Sequence, residues 1–318
     1  MLTSGGDAPG MNAAIRAVTR TAVAQGVEVL GVRQGFAGLM RANFIHLSAR
    51  DVGGIIEQGG TMLESARAPE FRTPQGRNKA IAALDDAGAG GLIVIGGNGS
   101  QSGALALSEL GILVNGVAST IDNDLPGSEI AIGVDTAINT DLEAIDRLRT
   151  TASSLRRLFV VEVMGRDCGY LALAVGIAGG AEVVVTPEAP IPVNVVVERI
   201  HESRRMGKRF ALIVVAEGVH GYAQVLHKAL MEDEAHADYD PRLTVLGHVQ
   251  RGGRPSAFDR LLATRLASSA TDRLIAGESG VLVGLIKGMA AATPLREALC
   301  QQKPLPAELL RLAETMRI

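Results

Sequence analysis

Short apolar runs recur along this chain, each cut off by glycine or polar residues and followed by a stretch with helical spacing. Val27–Val32 leads into RQGFAG, Leu92–Ile95 into GGNGS, Ile112–Val117 into ASTIDND and Leu158–Val163 into MGRDCG. Further on, Val183–Val185 leads into TPE, Phe210–Val215 into AEG and Thr244–Val249 into QRGG. Helical patterns fall between them at Met11–Ala24, Asn78–Ala87, Ser102–Leu110, Ala137–Ala152 and Pro192–Arg205. Strand alternating with helix confines the chain to α/β architecture with mainly parallel sheets. Uninterrupted apolar strands belong to sheets covered on both faces. Such folds bind ligands beyond the carboxyl ends of their strands, where the unusual sequences of this chain all lie. The chain opens two residues before TSGGD, so the first strand is expected to be shorter than the usual five or six or so. Either its start lies upstream or the sheet carries a stub. The polar stretch 227–241 is expected on the surface.

At 318 residues, about two domains are expected. Apolar residues make up 47%, yet no run approaches the roughly 20 needed to span a membrane. No basic segment followed by an apolar core marks a secretory leader. Net charge is 31 − 34 = −3, which argues against a nucleic-acid partner. Cys168 and Cys300 have no metal-like spacing, so a reducing cytoplasmic setting is expected.

Two turns carry the chemistry. TSGGDAPGMNAAIR (3–16) and GGNGSQSG (96–103) each read as strand end, glycine turn and helix start. Glycines let backbone N–H groups approach phosphate closely, and a helix N-terminus favours the anion. GGNGSQSG is neither a dinucleotide fingerprint, since its third glycine comes one residue late at Gly103, nor a Gly-Lys-Ser/Thr phosphate loop, and either turn alone could be merely tight. Arg67, in ESARAPEF, adds a cation. STIDND (119–124) puts two carboxylates after a buried strand. An aspartate there is more often a helix cap than a base, so placement among the other motifs decides.

Taken in order, LTSGGDAPGMNAAIR, GGNGS, TIDND, EVMGR, AEG and VLGHVQRGG closely resemble bacterial ATP-dependent 6-phosphofructokinases, over residues 2 to about 290. The resemblance implies two similar three-layer α/β domains with the active site in the cleft between them. The nucleotide domain would be 1–133 plus 246–296, and the sugar-phosphate domain 134–245 plus 297–318. It implies a homotetramer and transfer of the ATP γ-phosphoryl group to the 1-hydroxyl of fructose 6-phosphate, with Mg²⁺. Asp122 would be the base, Asp124 part of the acidic metal environment and Thr120 a donor to the moving phosphoryl group. Gly6, Arg67, Gly97, Asn98, Gly99 and Ser100 would hold ATP. Arg166 would stabilise the transition state. The sugar phosphate would contact Thr120, Asp122, Met164, Gly165, Arg166, Glu217, His248 and Arg251, with Arg157 and Arg242 from a neighbouring subunit. Arg16, Arg20, Arg149, Glu182 and Lys208 match the family's site for ADP or phosphoenolpyruvate effectors.

Several residues depart from the family pattern. Asn98 stands where the phosphate loop usually has a metal-binding aspartate, and an amide oxygen is a weaker ligand for a hard cation. Ala118-Ser119 replaces Pro-Gly, so Ser119 is expected to crowd phosphate or to strain a glycine-only backbone angle. With the short first strand, these changes suggest a weakened Mg-ATP site. Pyrophosphate-dependent relatives typically carry aspartate at Gly99 and lysine at Ser119; neither is present. At the effector site, one arginine position falls on Ala49 beside Arg50, and one lysine position is Met206. The leading reading is an ATP-dependent kinase. The alternatives are a non-catalytic paralogue that binds sugar phosphate or effector, or an enzyme with a changed donor or acceptor.

Overall fold

The computed structural model describes residues 1–155, 157–208, 210–233 and 240–316. The chain packs as two compact units, Met1–Thr136 with Arg251–Lys303, and Ala137–Gln250 with Pro304–Ile318. These divisions fall a few residues after the cuts expected at 133, 245 and 296, and residues beside each one bond within their own unit. Thr136 donates its N–H and hydroxyl to Asp259. Gln250 accepts from the Met164 amide of the second unit, whereas Arg251 donates to the Asp7 carbonyl of the first. Lys303 donates to Asn123 and to the Glu129 carbonyl.

The first unit opens with β1 (Leu2–Ser4), α1 (Met11–Ala24), β2 (Leu30–Val32), α2 (Gly35–Leu39) and β3 (Phe44–His46). It continues through α3 (Pro74–Asp86), β4 (Leu92–Gly96), α4 (Asn98–Ser108) and β5 (Val114–Ala118), and α5 (Val134–Leu155) enters the second unit. There follow β6 (Arg157–Val163), α6 (Tyr170–Gly179), β7 (Val183–Val185), α7 (Val193–Arg205), β8 (Ala211–Ala216), α8 (Tyr222–Glu232) and β9 (Asp240–Val245). The chain returns for α9 (Ala257–Ile275), β10 (Val281–Ile286), β11 (Met289–Pro294) and α10 (Leu295–Leu299), and α11 (Ala307–Met316) follows in the second unit.

The first sheet has the order β11-β10-β5-β4-β1-β2-β3, parallel except for the edge strands β3 and β11. The second, β7-β8-β6-β9, is parallel throughout. The units share the α/β plan but differ in sheet size. β4, β5 and β8 are buried along their whole length, as runs without alternation require. Helix starts follow local chemistry: Thr73 caps α3 ahead of Pro74, and Ser256 caps α9.

Two expectations shift. The apolar run Thr244–Val249 is not one strand: β9 ends at Val245, and a 3-10 turn spans Gly247–Arg251. Gly247 sits at φ 57°, which breaks the extended backbone. The polar stretch 227–241 is helix α8 as far as Glu232, and 234–239 lie outside the described residues.

Candidate active site

In the first sheet β1 lies between β4 and β2, so the chain leaves β1 and β4 in opposite directions. The crevice of such a sheet lies at this switch, where the two glycine turns meet. Side chains would prevent the meeting. A Cβ on Gly96 would fall 2.6 Å from the Ser4 carbonyl oxygen and 2.5 Å from Ser100 Oγ. A Cβ on Gly5 would fall 3.2 Å from the same hydroxyl, and one on Gly97 would fall 3.2 Å from Thr120 Cβ. Around Gly99 nothing lies within 4 Å.

Helix α4 begins at Asn98, earlier than the expected Ser102, so the amides of Asn98 and Gly99 stand in its first turn. N–H groups there lack intrahelical partners and attract anions. Beside them Ser100 is buried, and its Oγ has no hydrogen-bond partner. A buried orphan hydroxyl at a helix start, facing bare glycine turns, has the chemistry to donate to an anion.

Arg251 closes the other side. Its guanidinium lies against Gly6, where a Cβ would sit 2.6 Å from Nη1, and Nη1 donates to the Asp7 carbonyl at 3.2 Å. Its Nη2 stands 3.8 Å from Asp122 Oδ1. Asp122 is 3% exposed, so this charge is nearly desolvated and keeps its cation close. Thr120 Oγ1 accepts from the Asp122 amide at 3.1 Å, which leaves the hydroxyl proton for another acceptor. Asn98 Nδ2 donates to the Asp124 carbonyl at 3.2 Å, tying the glycine turn to the acidic loop. Asp124 Oδ1 is buried without a hydrogen-bond partner. Arg67 is exposed, on a segment that Ser65 fastens to the Gly5 carbonyl at 2.7 Å.

In the second unit Glu217 follows β8. One of its oxygens accepts from the Gly165 and Arg166 amides, at 3.2 and 2.9 Å. That bond holds the Met164-Gly165-Arg166 turn, with Gly165 at φ 137° and Arg166 at φ 51°. His248 is exposed on the 3-10 turn, whose Gln250 accepts from the Met164 amide at 3.0 Å. Arg157 and Arg242 come together on Asp240 Oδ2, at 3.3 and 2.5 Å. Among the effector candidates, Lys208 Nζ lies 3.7 Å from Glu182 Oε1. Burial raises the Glu182 carboxyl above its usual range, against the pull of the Leu212 amide, Lys208 and Arg149. Arg149 donates to the Gly179 carbonyl and lies over the Phe210 ring. Arg16 and Arg20 lie on α1, and Met206 is exposed.

A family model described as Phosphofructokinase matches residues 1–274. The chain belongs to the phosphofructokinase family. It is 52% identical over 320 residues to ATP-dependent 6-phosphofructokinase 1 of Thermus thermophilus, covering 100% of this chain and 98% of that one. Against ATP-dependent 6-phosphofructokinase of Enterococcus faecalis it is 47% identical over 306 residues, covering 96% and 94%. Phosphofructokinase from Saccharomyces cerevisiae superposes with a TM-score of 0.86 at 37% identity, over 94% of this chain and 44% of that one. This phosphofructokinase therefore spans less than half of the yeast chain. A pyrophosphate-dependent phosphofructokinase from Marinobacter aquaeolei shares the fold, with a TM-score of 0.84 at 22% identity over 99% and 90% of the chains.

The residues present fit a nucleotide-borne Mg²⁺. Among the described residues no three His, Cys, Asp or Glu side chains form a cage of their own. Mg²⁺ usually takes one or two carboxylates and completes its shell with phosphates and water. The orphaned Asp124 Oδ1 beside Asn98 offers that partial set. Ser119 does not strain this phosphofructokinase as expected: it is absent from the residues with positive φ. It is fully buried, and its hydroxyl turns to the Ile132 carbonyl at 3.5 Å.

Sequence reasoning missed the residues that hold these loops. Asn12 bonds Gln58, Gly59 and Met62, and Thr3 meets Thr61, which docks the segment before Arg67. Gln101 Nε2 donates to the carbonyls of Val94, Gly96 and Val117, which pins the ends of β4 and β5. Asp240 gathers Arg157 and Arg242. None of them was signalled locally: Gln101 stands between Ser100 and Ser102 in a polar turn where nothing marks it out.

Proposed function

We propose that this phosphofructokinase holds Mg-ATP on the turns after β1 and β4 and uses Asp122 to take the proton of the attacking sugar hydroxyl. The reaction is ATP-dependent phosphorylation of fructose 6-phosphate at its 1-hydroxyl, giving fructose 1,6-bisphosphate in glycolysis. The observation that carries the assignment of roles is the meeting of three loops around Ser100, Thr120 and Asp122 at the switch of the first sheet. A sugar hydroxyl is a poor nucleophile until its proton has somewhere to go, and a buried carboxylate beside a cation, on a backbone that its own amide ties to Thr120 Oγ1, supplies that place. The Thr120 hydroxyl donates to the moving phosphoryl oxygens, and Arg166 neutralises charge that develops there. Gly6, Arg67, Gly97, Asn98, Gly99 and Ser100 cradle the nucleotide. When bound, Mg²⁺ neutralises the phosphate oxygens, and Asn98 and Asp124 are the residues that would hold it.

Met164, Gly165, Arg166, Glu217, His248 and Arg251 bind the sugar phosphate, and Arg157 and Arg242 serve a neighbouring copy in a homotetramer. Arg16, Arg20, Arg149, Glu182 and Lys208 form an anion site for ADP or phosphoenolpyruvate, and the enzyme works in the cytoplasm. The test is a coupled assay with fructose 6-phosphate, Mg²⁺ and either ATP or pyrophosphate. Turnover with ATP alone is expected. No turnover with either donor, with fructose 6-phosphate still bound, would make the chain a binding subunit.

Asn98→Asp sharpens the metal assignment. A carboxylate binds a hard cation better than an amide, so the Mg²⁺ needed for half-maximal rate is expected to fall severalfold. The same change removes the donor to the Asp124 carbonyl, so Mg-free stability is expected to drop by about 1 kcal/mol. An unchanged Mg²⁺ titration would remove Asn98 from the metal's surroundings.

A further inference from the structure

We propose that Lys303 is a positioning residue for the catalytic loop, acting on Asp122 and Asp124 through Asn123; this rests on the assignment of Asp122 as the base. Asn123 separates the two acids and sits in the left-handed region at φ 52°, which asparagine adopts more readily than most residues and which sets the directions in which Asp122 and Asp124 leave it. Its side chain is spent on holding that conformation. Oδ1 accepts from the Ala131 amide at 3.1 Å, and Nδ2 donates to the Glu129 carbonyl at 3.2 Å. Both partners lie on the far limb of the same loop.

Lys303 completes the frame. Its ammonium donates to Asn123 Oδ1 at 2.9 Å and to the Glu129 carbonyl at 2.9 Å. The three groups close a triangle, and its one charged member comes from the segment after α10, 180 residues along the chain. Glu129 is itself anchored: its amide donates to the Leu285 carbonyl at 2.7 Å, and its Oε1 accepts from the Lys287 amide at 2.8 Å. The far limb is thereby tied to β10, and Lys303 braces the near limb against it. Hydrogen bonds from a charged donor are about twice as strong as neutral ones, so this strut is the stiffest single contact on Asn123. A base displaced by about 1 Å costs on the order of 10²-fold in rate, so the strut acts on kcat.

The test compares Lys303→Met, Lys303→Arg, Asn123→Ala and the Lys303→Met/Asn123→Ala double variant in the full-length enzyme, with Asp122→Asn as reference. Lys303→Met is expected to lower kcat about ten- to hundredfold, with KM for fructose 6-phosphate within about twofold. Lys303→Arg is expected to recover most of that loss. In the Asn123→Ala background the lysine change is expected to cost almost nothing, because its route to the acids is gone. A Lys303→Met enzyme with unaltered kcat, or one whose loss is undiminished without Asn123, would overturn the proposal. If Asp122→Asn keeps full activity, the base assignment fails; if that variant is inactive while Lys303→Met is unimpaired, only the lysine's role fails.

Discussion

Asp122→Asn is expected to lower kcat by about 10²- to 10⁴-fold while leaving the melting temperature and the KM for fructose 6-phosphate nearly unchanged. The substitution keeps the shape of the side chain and removes only its basicity. The backbone stays in place, because the Asp122 amide still donates to Thr120 Oγ1. Arg251 loses a charge at 3.8 Å, yet its bond to the Asp7 carbonyl and its seat on Gly6 persist. The asparagine oxygen still accepts a hydrogen bond from the sugar hydroxyl and the phosphate contacts are untouched, so the loss falls on the chemical step. Steady-state kinetics with a melting curve on the same preparation decide the matter. A variant with wild-type kcat would show that the proton leaves by another route, and a variant that fails to fold is excluded by the melt.

What could be read in the sequence was the local part of this architecture. Strand β7 and helix α1 match the expected Val183–Val185 and Met11–Ala24, because an unbroken β-branched run and a 3.6-residue stripe are local signals. The two glycine turns were legible for the same reason, since the bare backbone is written into the residues themselves. Edge strand β9 was misplaced. It contains Pro241 and two charged residues, Asp240 and Arg242, and half-exposed edge positions carry no clean apolar pattern. The start of α4 was set four residues late, because glycine and asparagine in its first turn look like loop. That error hid the fact that the phosphate turn is itself the helix N-terminus. The frame around the acidic loop was not legible at all. Lys303 meets Asn123 across 180 residues of sequence, and no spacing encodes such a contact.

Asp141→Val is expected to stabilise the enzyme most strongly near pH 8 and to flatten the pH dependence of its stability. On α5, Ala137, Asp141 and Ile145 follow at intervals of four and all face inward, fully buried. The acid thus occupies a position that the helical stripe reserves for an apolar side chain, and neither oxygen has a hydrogen-bond partner. Burial pushes its carboxyl from 3.8 up to about 8. The folded protein therefore keeps a proton that the unfolded chain releases near pH 4. Between about pH 4 and pH 8 the native state binds more protons than the unfolded state, so stability falls as pH rises, by up to about 1.4 kcal/mol per unit for one such group. Below that window the neutral acid still costs about 1–3 kcal/mol for its unmade hydrogen bonds. Valine removes both penalties. Denaturant midpoints of the two proteins between pH 5 and pH 8.5 read the effect directly. The gap between them is expected to widen towards high pH, and a constant gap would mean that Asp141 stays ionised in the fold.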